Sequence, residues 1–113
     1  MTDFERGDVV LVGFVFSDES GVKRRPAVIV SSEAYNKGRG EAIIAAITSN
    51  VDRVLLGDHL ITDWRGAGLL FPSVTTCILR TVKRGMVVGR LGSMPSSDMA
   101  AIEDKLRLAL GLS

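Results

Sequence analysis

Short apolar runs separated by polar, glycine-bearing segments fill most of the chain. The runs are rich in β-branched residues and too short for typical helices, so they predict buried strands. These predicted strands are Val9–Phe16, Ala27–Ser31, Ala42–Thr48, Thr76–Val82 and Met86–Leu91. We expect the last two to pair antiparallel across Lys83-Arg84-Gly85.

The segments between these runs give weaker signals. Tyr35–Gly40 predicts a loop, whereas Val54–Leu56 and Leu60–Thr62 suggest two further short strands. Lys23-Arg24-Arg25 predicts a basic loop ahead of Pro26, because a proline can start a strand but is disfavoured in its middle.

A different spacing marks the C-terminal end. Pro95-Ser96-Ser97-Asp98 predicts a helix start with a serine N-cap, and Gly111 predicts its end. Apolar residues recur at helical spacing between them, at Met99, Ile102, Leu106, Ala109 and Leu110. Several short strands followed by one amphipathic helix predict a mostly β (α+β) fold, a small, mainly antiparallel barrel with a C-terminal helix.

Composition narrows the function classes. The length of 113 residues predicts one domain, residues 1–113. A single cysteine, Cys77, and a single histidine, His59, exclude an intramolecular disulfide framework, a cysteine-rich zinc site and a two-histidine catalytic pair. No secretory signal or membrane-spanning run is apparent, so we expect a cytoplasmic protein with no membrane contact.

The net charge of +1 conceals an uneven distribution. Basic residues concentrate in Lys23-Arg24-Arg25 and between Arg80 and Arg90, whereas acids concentrate elsewhere, for example in Asp18-Glu19. If the two basic stretches converge, they form a groove suited to a phosphate backbone. The alternative is that they are solvated turns.

Two positions are suited to binding an anion. Arg25 precedes Pro26, which favours an extended backbone, and a fixed arginine can bind a phosphate bidentately. Thr48 and Ser49 follow an apolar strand and offer hydroxyl groups. The alternatives are a basic hairpin arm and an ordinary strand end, respectively.

These pieces together resemble the MazF/PemK family of toxin endoribonucleases. The similarity extends in order along essentially the whole chain, through Arg6–Val12 (RGDVVLV), Arg25–Ser31 (RPAVIVS), Ala45–Ser49 (AAITS), Leu70–Ser73 (LFPS) and Val88–Gly92 (VGRLG). The resemblance implies a small SH3-like barrel, a homodimer and metal-independent cleavage of single-stranded RNA. It also implies a cognate antitoxin and no cofactor.

The same resemblance implies catalytic roles for Arg25 and Thr48. A fixed guanidinium and a hydroxyl would stabilise charge on the phosphate while the RNA 2′-hydroxyl attacks it, giving a 2′,3′-cyclic phosphate and a 5′-hydroxyl. Relatives carry a glutamate where this chain has Ser20, so we assign the carboxylate role to Glu19, with an ordinary turn acid as the alternative. The predicted RNA-binding residues are Lys23, Arg24, Ser49, Arg80, Lys83 and Arg84.

Two other functions use the same fold. A gyrase-inhibiting toxin of this architecture relies on a tryptophan near its C-terminus, and this chain ends Leu110-Gly111-Leu112-Ser113 without one. A barrel that has lost catalysis and only binds RNA or protein is the second alternative, and the departure at Ser20 keeps it open. Trp64 either stacks on an RNA base or packs, partly buried, under a loop.

Overall fold

In the computed structural model, which describes residues 4–15 and 22–113, an antiparallel sheet carries a short helix and a longer C-terminal helix. The elements in chain order are β1 (Asp8–Val15), β2 (Val22–Ile29), α1 (Glu33–Arg39), β3 (Glu41–Thr48), β4 (His59–Leu60), β5 (Val74–Lys83), β6 (Val87–Ser93) and α2 (Ser96–Leu110). The predicted fold class, mostly β with a C-terminal helix, is confirmed.

The strands of the described residues form one sheet in the order β4-β5-β3-β2-β1-β6. Each neighbouring pair is antiparallel. The predicted pairing of β5 with β6 is wrong, because the 3₁₀ turn Arg84–Met86 separates them and β6 pairs with β1 instead. The basic stretch from Arg80 to Arg90 is therefore divided between two strands at different places in the sheet.

Strand β2 is longer at its start than predicted. It includes Lys23-Arg24-Arg25, and Pro26 lies within it opposite Leu11 of β1. The placement of the three basic residues in a loop, and of Pro26 at a strand start, was wrong. The reason is that the ladder from β2 to β3 runs only over Ala27–Ile29. Pro26 is therefore paired on one side alone, as in an edge strand, where a missing N–H is tolerated.

The segment predicted as a loop at Tyr35–Gly40 lies mostly in a helix, α1. The Ser32 hydroxyl accepts a hydrogen bond from the Tyr35 N–H at its start, and Gly40 ends it in the left-handed conformation. Apolar periodicity missed this helix because it has only seven residues and buries little more than Asn36. Of the two short strands predicted in the middle of the chain, only His59–Leu60 forms, and Val54–Leu56 is irregular.

Helix α2 occupies the predicted segment and ends at Gly111 in the left-handed conformation, as expected. The predicted serine cap is wrong, because Pro95 occupies the N-cap position without a side-chain hydrogen bond. Met99 and Ile102 are buried, whereas the last turn with Ala109 and Leu110 is exposed. The helix thus packs on the sheet through Met99, Ile102 and the partly buried Leu106, and its last turn is exposed.

Two apolar clusters lie on the sheet. The first includes the buried α2 residues, with Trp64 partly buried against it, and its sheet residues are Val9, Val28, Ala45 and Ile47. The second consists of Val10, Val12, Ala27, Ile29, Ala42, Ile44 and Val82. Neighbouring residues of a strand alternate between the two clusters, because successive side chains point to opposite faces of a sheet. Both faces of this sheet are therefore apolar, which explains why the strands appear in the sequence as continuous apolar runs. Trp64 has the packing role that the sequence favoured.

Candidate functional site

An open pocket of about 750 Å³ lies where β2 and β3 part. The last paired residues on this side are Ala27 and Ala46, and beyond them Pro26 offers no N–H to continue the ladder. Continuing the same register by two residues places Arg25 level with Thr48. Both residues line the pocket, so residues far apart in the sequence meet at one place.

The Thr48 end of the pocket is rich in hydrogen-bonding groups. The Oγ1 atom of Thr48 accepts a hydrogen bond from the Asn50 N–H at 3.1 Å. A hydroxyl oxygen that accepts in this way still has its own O–H to donate. Ser49 follows on the pocket lining and is exposed. Thr48 therefore combines a held oxygen with a donor available to a bound anion.

Arg25 is exposed on β2 and lies opposite the buried Val12 of β1. Among the residues that the structure describes, no carboxylate lies within ion-pair distance of its guanidinium. Its backbone is in a strand immediately before a proline, which restricts the directions from which the side chain emerges. Arg25 is thus a positioned cation that lines an open pocket.

The other predicted RNA-binding cations are more widely distributed. By strand alternation, Lys23 shares the Arg25 face of β2 and Arg24 takes the opposite face. Arg80 lies opposite Ile44, whose side chain lines the pocket, and directly opposite residues share a face of a sheet.

Two of these cations lie further from the pocket. In the antiparallel ladder between β3 and β5, Lys83 lies opposite Glu41, the first residue of β3. Arg84 lines a separate pocket of about 340 Å³ that also includes Glu41. The structure therefore brings Arg25, Thr48 and Ser49 together. It leaves Arg84 at a different cavity and Lys83 at the end of β5 opposite the start of β3. The predicted carboxylate, Glu19, and the departure at Ser20 lie outside the described residues.

Residues that the sequence did not identify form the other wall of the pocket. The segment Gly68–Phe71 and Ser73 contribute to it, as does Leu91 of β6. The sequence motif Leu70–Ser73 was identified only as part of the family resemblance, and no role at a site was predicted for it. The available signal was that Leu70 and Phe71 are followed at once by Pro72. A proline is disfavoured inside a helix or a central strand, so this apolar pair was not expected to lie in a regular buried element.

Asp98 anchors the segment that leads into this wall. Its carboxylate is 1% exposed, and it accepts hydrogen bonds from the Thr62 N–H at 2.8 Å and the Asp63 N–H at 3.1 Å. The Nε2 atom of His59 lies 2.7 Å from its Oδ1. Burial alone would raise the pKa of Asp98, but the hydrogen bonds from Thr62, His59 and Asp63 outweigh it and lower this pKa below its usual value. The first turn of α2 is therefore tied to β4 and to the chain after it.

Neither a cluster of metal-binding side chains nor a membrane-spanning helix is found in the described part of the chain. The described residues contain no group of three or more histidine, cysteine, aspartate or glutamate side chains placed to hold a metal ion. No helix within the described ranges is long and apolar enough to span a membrane.

The family model for PemK-like, MazF-like toxins of type II toxin–antitoxin systems matches residues 5–110. The chain belongs to this family, and the sequence-based prediction of the family is confirmed.

Characterised relatives carry consistent names. Endoribonuclease EndoA of Bacillus subtilis (strain 168) is 26% identical over 112 residues, which cover 96% of this chain and 95% of the relative. Endoribonuclease MazF of Staphylococcus epidermidis is 29% identical over 112 residues, which cover 96% and 92%. These names agree with the prediction of an endoribonuclease.

Solved structures confirm the fold. A chain of the MazE–MazF crystal structure (form II) from Deinococcus radiodurans superposes with a TM-score of 0.82 at 22% identity, and the match covers 100% of both chains. The Mycobacterium tuberculosis toxin MazF-mt6 gives a TM-score of 0.76 at 22% identity and covers 94% of this chain and 98% of its own.

Proposed function

We propose that this toxin is a sequence-selective endoribonuclease that cleaves single-stranded RNA at the pocket between β2 and β3. The observation that carries the proposal is the meeting of Arg25 and Thr48 at one open pocket. An exposed guanidinium and a hydroxyl donor are the groups needed to hold a phosphate by charge-assisted hydrogen bonds. The names of the curated relatives support the same activity.

The proposed reaction is an internal transfer at phosphorus. The 2′-oxygen of the ribose forms a bond to the adjacent phosphorus, and the bond from phosphorus to the 5′-oxygen breaks. The 2′-hydroxyl proton passes to a base, the role that we assign to Glu19, and the 5′-oxygen gains a proton as it leaves. The products are a 2′,3′-cyclic phosphate and a 5′-hydroxyl, and DNA is inert because it lacks the 2′-hydroxyl.

Arg25 and Thr48 act on the charge that develops during this transfer. Negative charge grows on the non-bridging oxygens and on the departing 5′-oxygen, and donors fixed in advance stabilise it without reorganisation. Arg25 supplies a positive charge, and Thr48 adds a neutral donor whose oxygen is held by the Asn50 N–H. The attacking group comes from the substrate, so no nucleophilic side chain of the protein is required.

The predicted partners follow from the same assignment. We propose a cognate antitoxin that occupies the pocket side of the sheet with an acidic segment, in competition with RNA. Solved structures that superpose on this chain include MazE–MazF of Deinococcus radiodurans and a mycobacterial endoribonuclease in complex with its cognate antitoxin. We also propose that the active form is a homodimer and that the protein works in the cytoplasm.

The test compares the wild-type chain with Arg25→Ala on long, mixed-sequence RNA in EDTA, with 5′ ends mapped by primer extension. We expect discrete cuts by the wild type and a loss of about 10²–10³ in rate for the variant. Arg107→Ala is the matched control, because Arg107 is an exposed arginine of α2 that forms surface ion pairs with Glu103 and Asp104.

Two outcomes would contradict the proposal. Equal cutting by the wild type and Arg25→Ala would show that the reaction occurs elsewhere. No cutting of varied RNA by the wild type would favour the binding or gyrase-inhibiting alternatives.

A further inference from the structure

The pocket that contains Arg25 and Thr48 is also lined by exposed apolar side chains, which we call the apolar wall. Leu70 is 82% exposed, Phe71 is 63% exposed and Leu91 is 40% exposed, and all three line the same pocket. Isolated exposed leucines need no explanation, but apolar groups gathered in a concave site beside polar ones are typical of ligand pockets. This apolar wall has no role in the proposed phosphate chemistry.

The backbone beneath these side chains is held on both sides. Gly68 has a φ of +84° and approaches β6 so closely that a Cβ atom there would lie 2.1 Å from the Leu91 carbonyl oxygen. On the other side, the buried Ser73 donates a hydrogen bond from Oγ to the Phe71 carbonyl at 2.8 Å. Pro72 restricts Phe71 to extended conformations. Phe71 is thus an exposed aromatic ring on a fixed backbone.

Such a ring is suited to a flat, apolar ligand. Bases of single-stranded RNA are unstacked and expose both faces, and aromatic side chains bind them by stacking. A phosphate held at Arg25 carries a nucleoside on each side, and the apolar residues line the same pocket as Arg25. The pocket volume of about 750 Å³ falls in the range of small-ligand sites, roughly 300–1,000 Å³. An acidic peptide would find no cationic or donor side chain on the three apolar residues.

We propose that Leu70, Phe71 and Leu91 form a nucleobase subsite, in which one base next to the scissile phosphate stacks on Phe71. This inference rests on the proposed function, because it takes RNA as the substrate. It adds the residues that contact a base of that RNA. Leu70 and Leu91 border the base, and Arg25 binds the adjoining phosphate. Base identity is then selected by the shape of the apolar wall.

The experiment separates base recognition from phosphate recognition. Two labelled probes are titrated by fluorescence anisotropy: a short 2′-O-methyl RNA of randomised sequence, which cannot be cleaved, and an abasic oligonucleotide with the same backbone. The proteins are the wild type, Phe71→Ala, Phe71→Trp and Arg25→Ala. Leu108→Ala is the control, because Leu108 is exposed to a similar degree and lies on α2 outside the pocket.

We expect Phe71→Ala to bind the base-containing probe about 5- to 100-fold more weakly than the wild type, as for a lost stacking contact. Its affinity for the abasic probe should not change. Phe71→Trp keeps an aromatic face and should bind both probes within a few-fold of the wild type, as should Leu108→Ala. Arg25→Ala should weaken both probes alike.

Several results would overturn the subsite. Unchanged binding of the base-containing probe by Phe71→Ala overturns it. If Arg25→Ala loses affinity for both probes in the same series, the phosphate site at Arg25 is still supported. Loss of antitoxin binding alone would assign the wall to a protein partner. A changed sedimentation coefficient of free Phe71→Ala would assign it to a contact between two copies. A base-specific loss in a protein that cuts no RNA would support the subsite and refute the proposed function.

Discussion

Replacing Asp98 with asparagine should destabilise the fold more than any other single charge change in α2. The carboxylate accepts three hydrogen bonds, from His59 and from the N–H groups of Thr62 and Asp63, at 2.7, 2.8 and 3.1 Å. An asparagine keeps one acceptor oxygen but turns an NH₂ group toward the remaining donors. Hydrogen bonds to charged groups contribute about 1.5–3 kcal/mol each, so we expect a loss of about 2–4 kcal/mol. For a domain of this size, that loss lowers Tm by about 8–15 °C.

The same residue sets a pH dependence with a defined sign. The pKa of Asp98 is lower in the folded chain than its usual value, so the folded state binds this proton less readily than the unfolded state. Its contribution is therefore fully present above the unfolded pKa of about 3.9 and is lost as the pH falls through the folded pKa. The wild type should lose stability in acid below about pH 4, and Asp98→Asn should lack that part of the loss.

The assay is urea unfolding followed by the fluorescence of Trp64, the single tryptophan, which packs against the first apolar cluster. Asp104→Asn is the matched control, because Asp104 is an exposed acid of α2 whose ion pair with Arg107 is worth at most about 1 kcal/mol. A free energy of unfolding for Asp98→Asn within about 0.5 kcal/mol of the control would refute the reasoning. An unchanged acid slope would refute the assignment of the pH dependence.

Three further predictions concern the pocket and the cysteine. Gly68→Ala should lower Tm by an amount equivalent to about 3 kcal/mol, because a Cβ atom at this positive φ would collide with the Leu91 carbonyl. Gly85→Ala is the control and should leave Tm unchanged, because the space around Gly85 is open. Equal Tm values for the two variants would contradict the prediction. Thr48→Ser should retain most cleavage activity and Thr48→Val should lose about 10²-fold, measured as initial rates on a defined RNA; equal rates would exclude the hydroxyl from the reaction. Burial, followed by a nearby carboxylate, raises the pKa of the Cys77 thiol, so its alkylation at pH 8 should be slower in the folded chain than in urea; equal rates would show that the thiol is not protected.

The pattern of apolar residues predicted those elements whose buried residues recur at regular spacing or form a continuous apolar run. Strand β3 begins within a residue of its predicted position, and the buried first half of α2 was visible as Met99 and Ile102. Helix α1 was missed because local hydrogen bonds at Ser32 and Gly40 define it, rather than an apolar face. The hairpin predicted between β5 and β6 was wrong because strands that are consecutive in the chain need not be neighbours in the sheet, and β6 pairs with β1.

The candidate site divides in the same way. The local sequence identified Arg25 and Thr48 separately as anion-binding candidates, and the family resemblance gave both a catalytic role. Their meeting at one pocket depends on the register between β2 and β3, which no local pattern predicts. The apolar wall was not predicted, because the sequence around Leu70 and Phe71 does not distinguish exposed apolar side chains from buried ones. That distinction depends on the backbone contact of Gly68 with β6, which is a long-range packing event.

The held segment from Gly68 to Ser73 has a consequence for how such a toxin can change its target. The side chains of Leu70 and Phe71 remain mostly in solvent, so exchanging them removes little buried area and costs the fold little. Arg25 and Thr48, by contrast, belong to paired strands at the edge of the core. Under the proposed base subsite, new substrate preferences can arise at positions 70 and 71 while Arg25, Thr48 and the stability of the domain are unchanged.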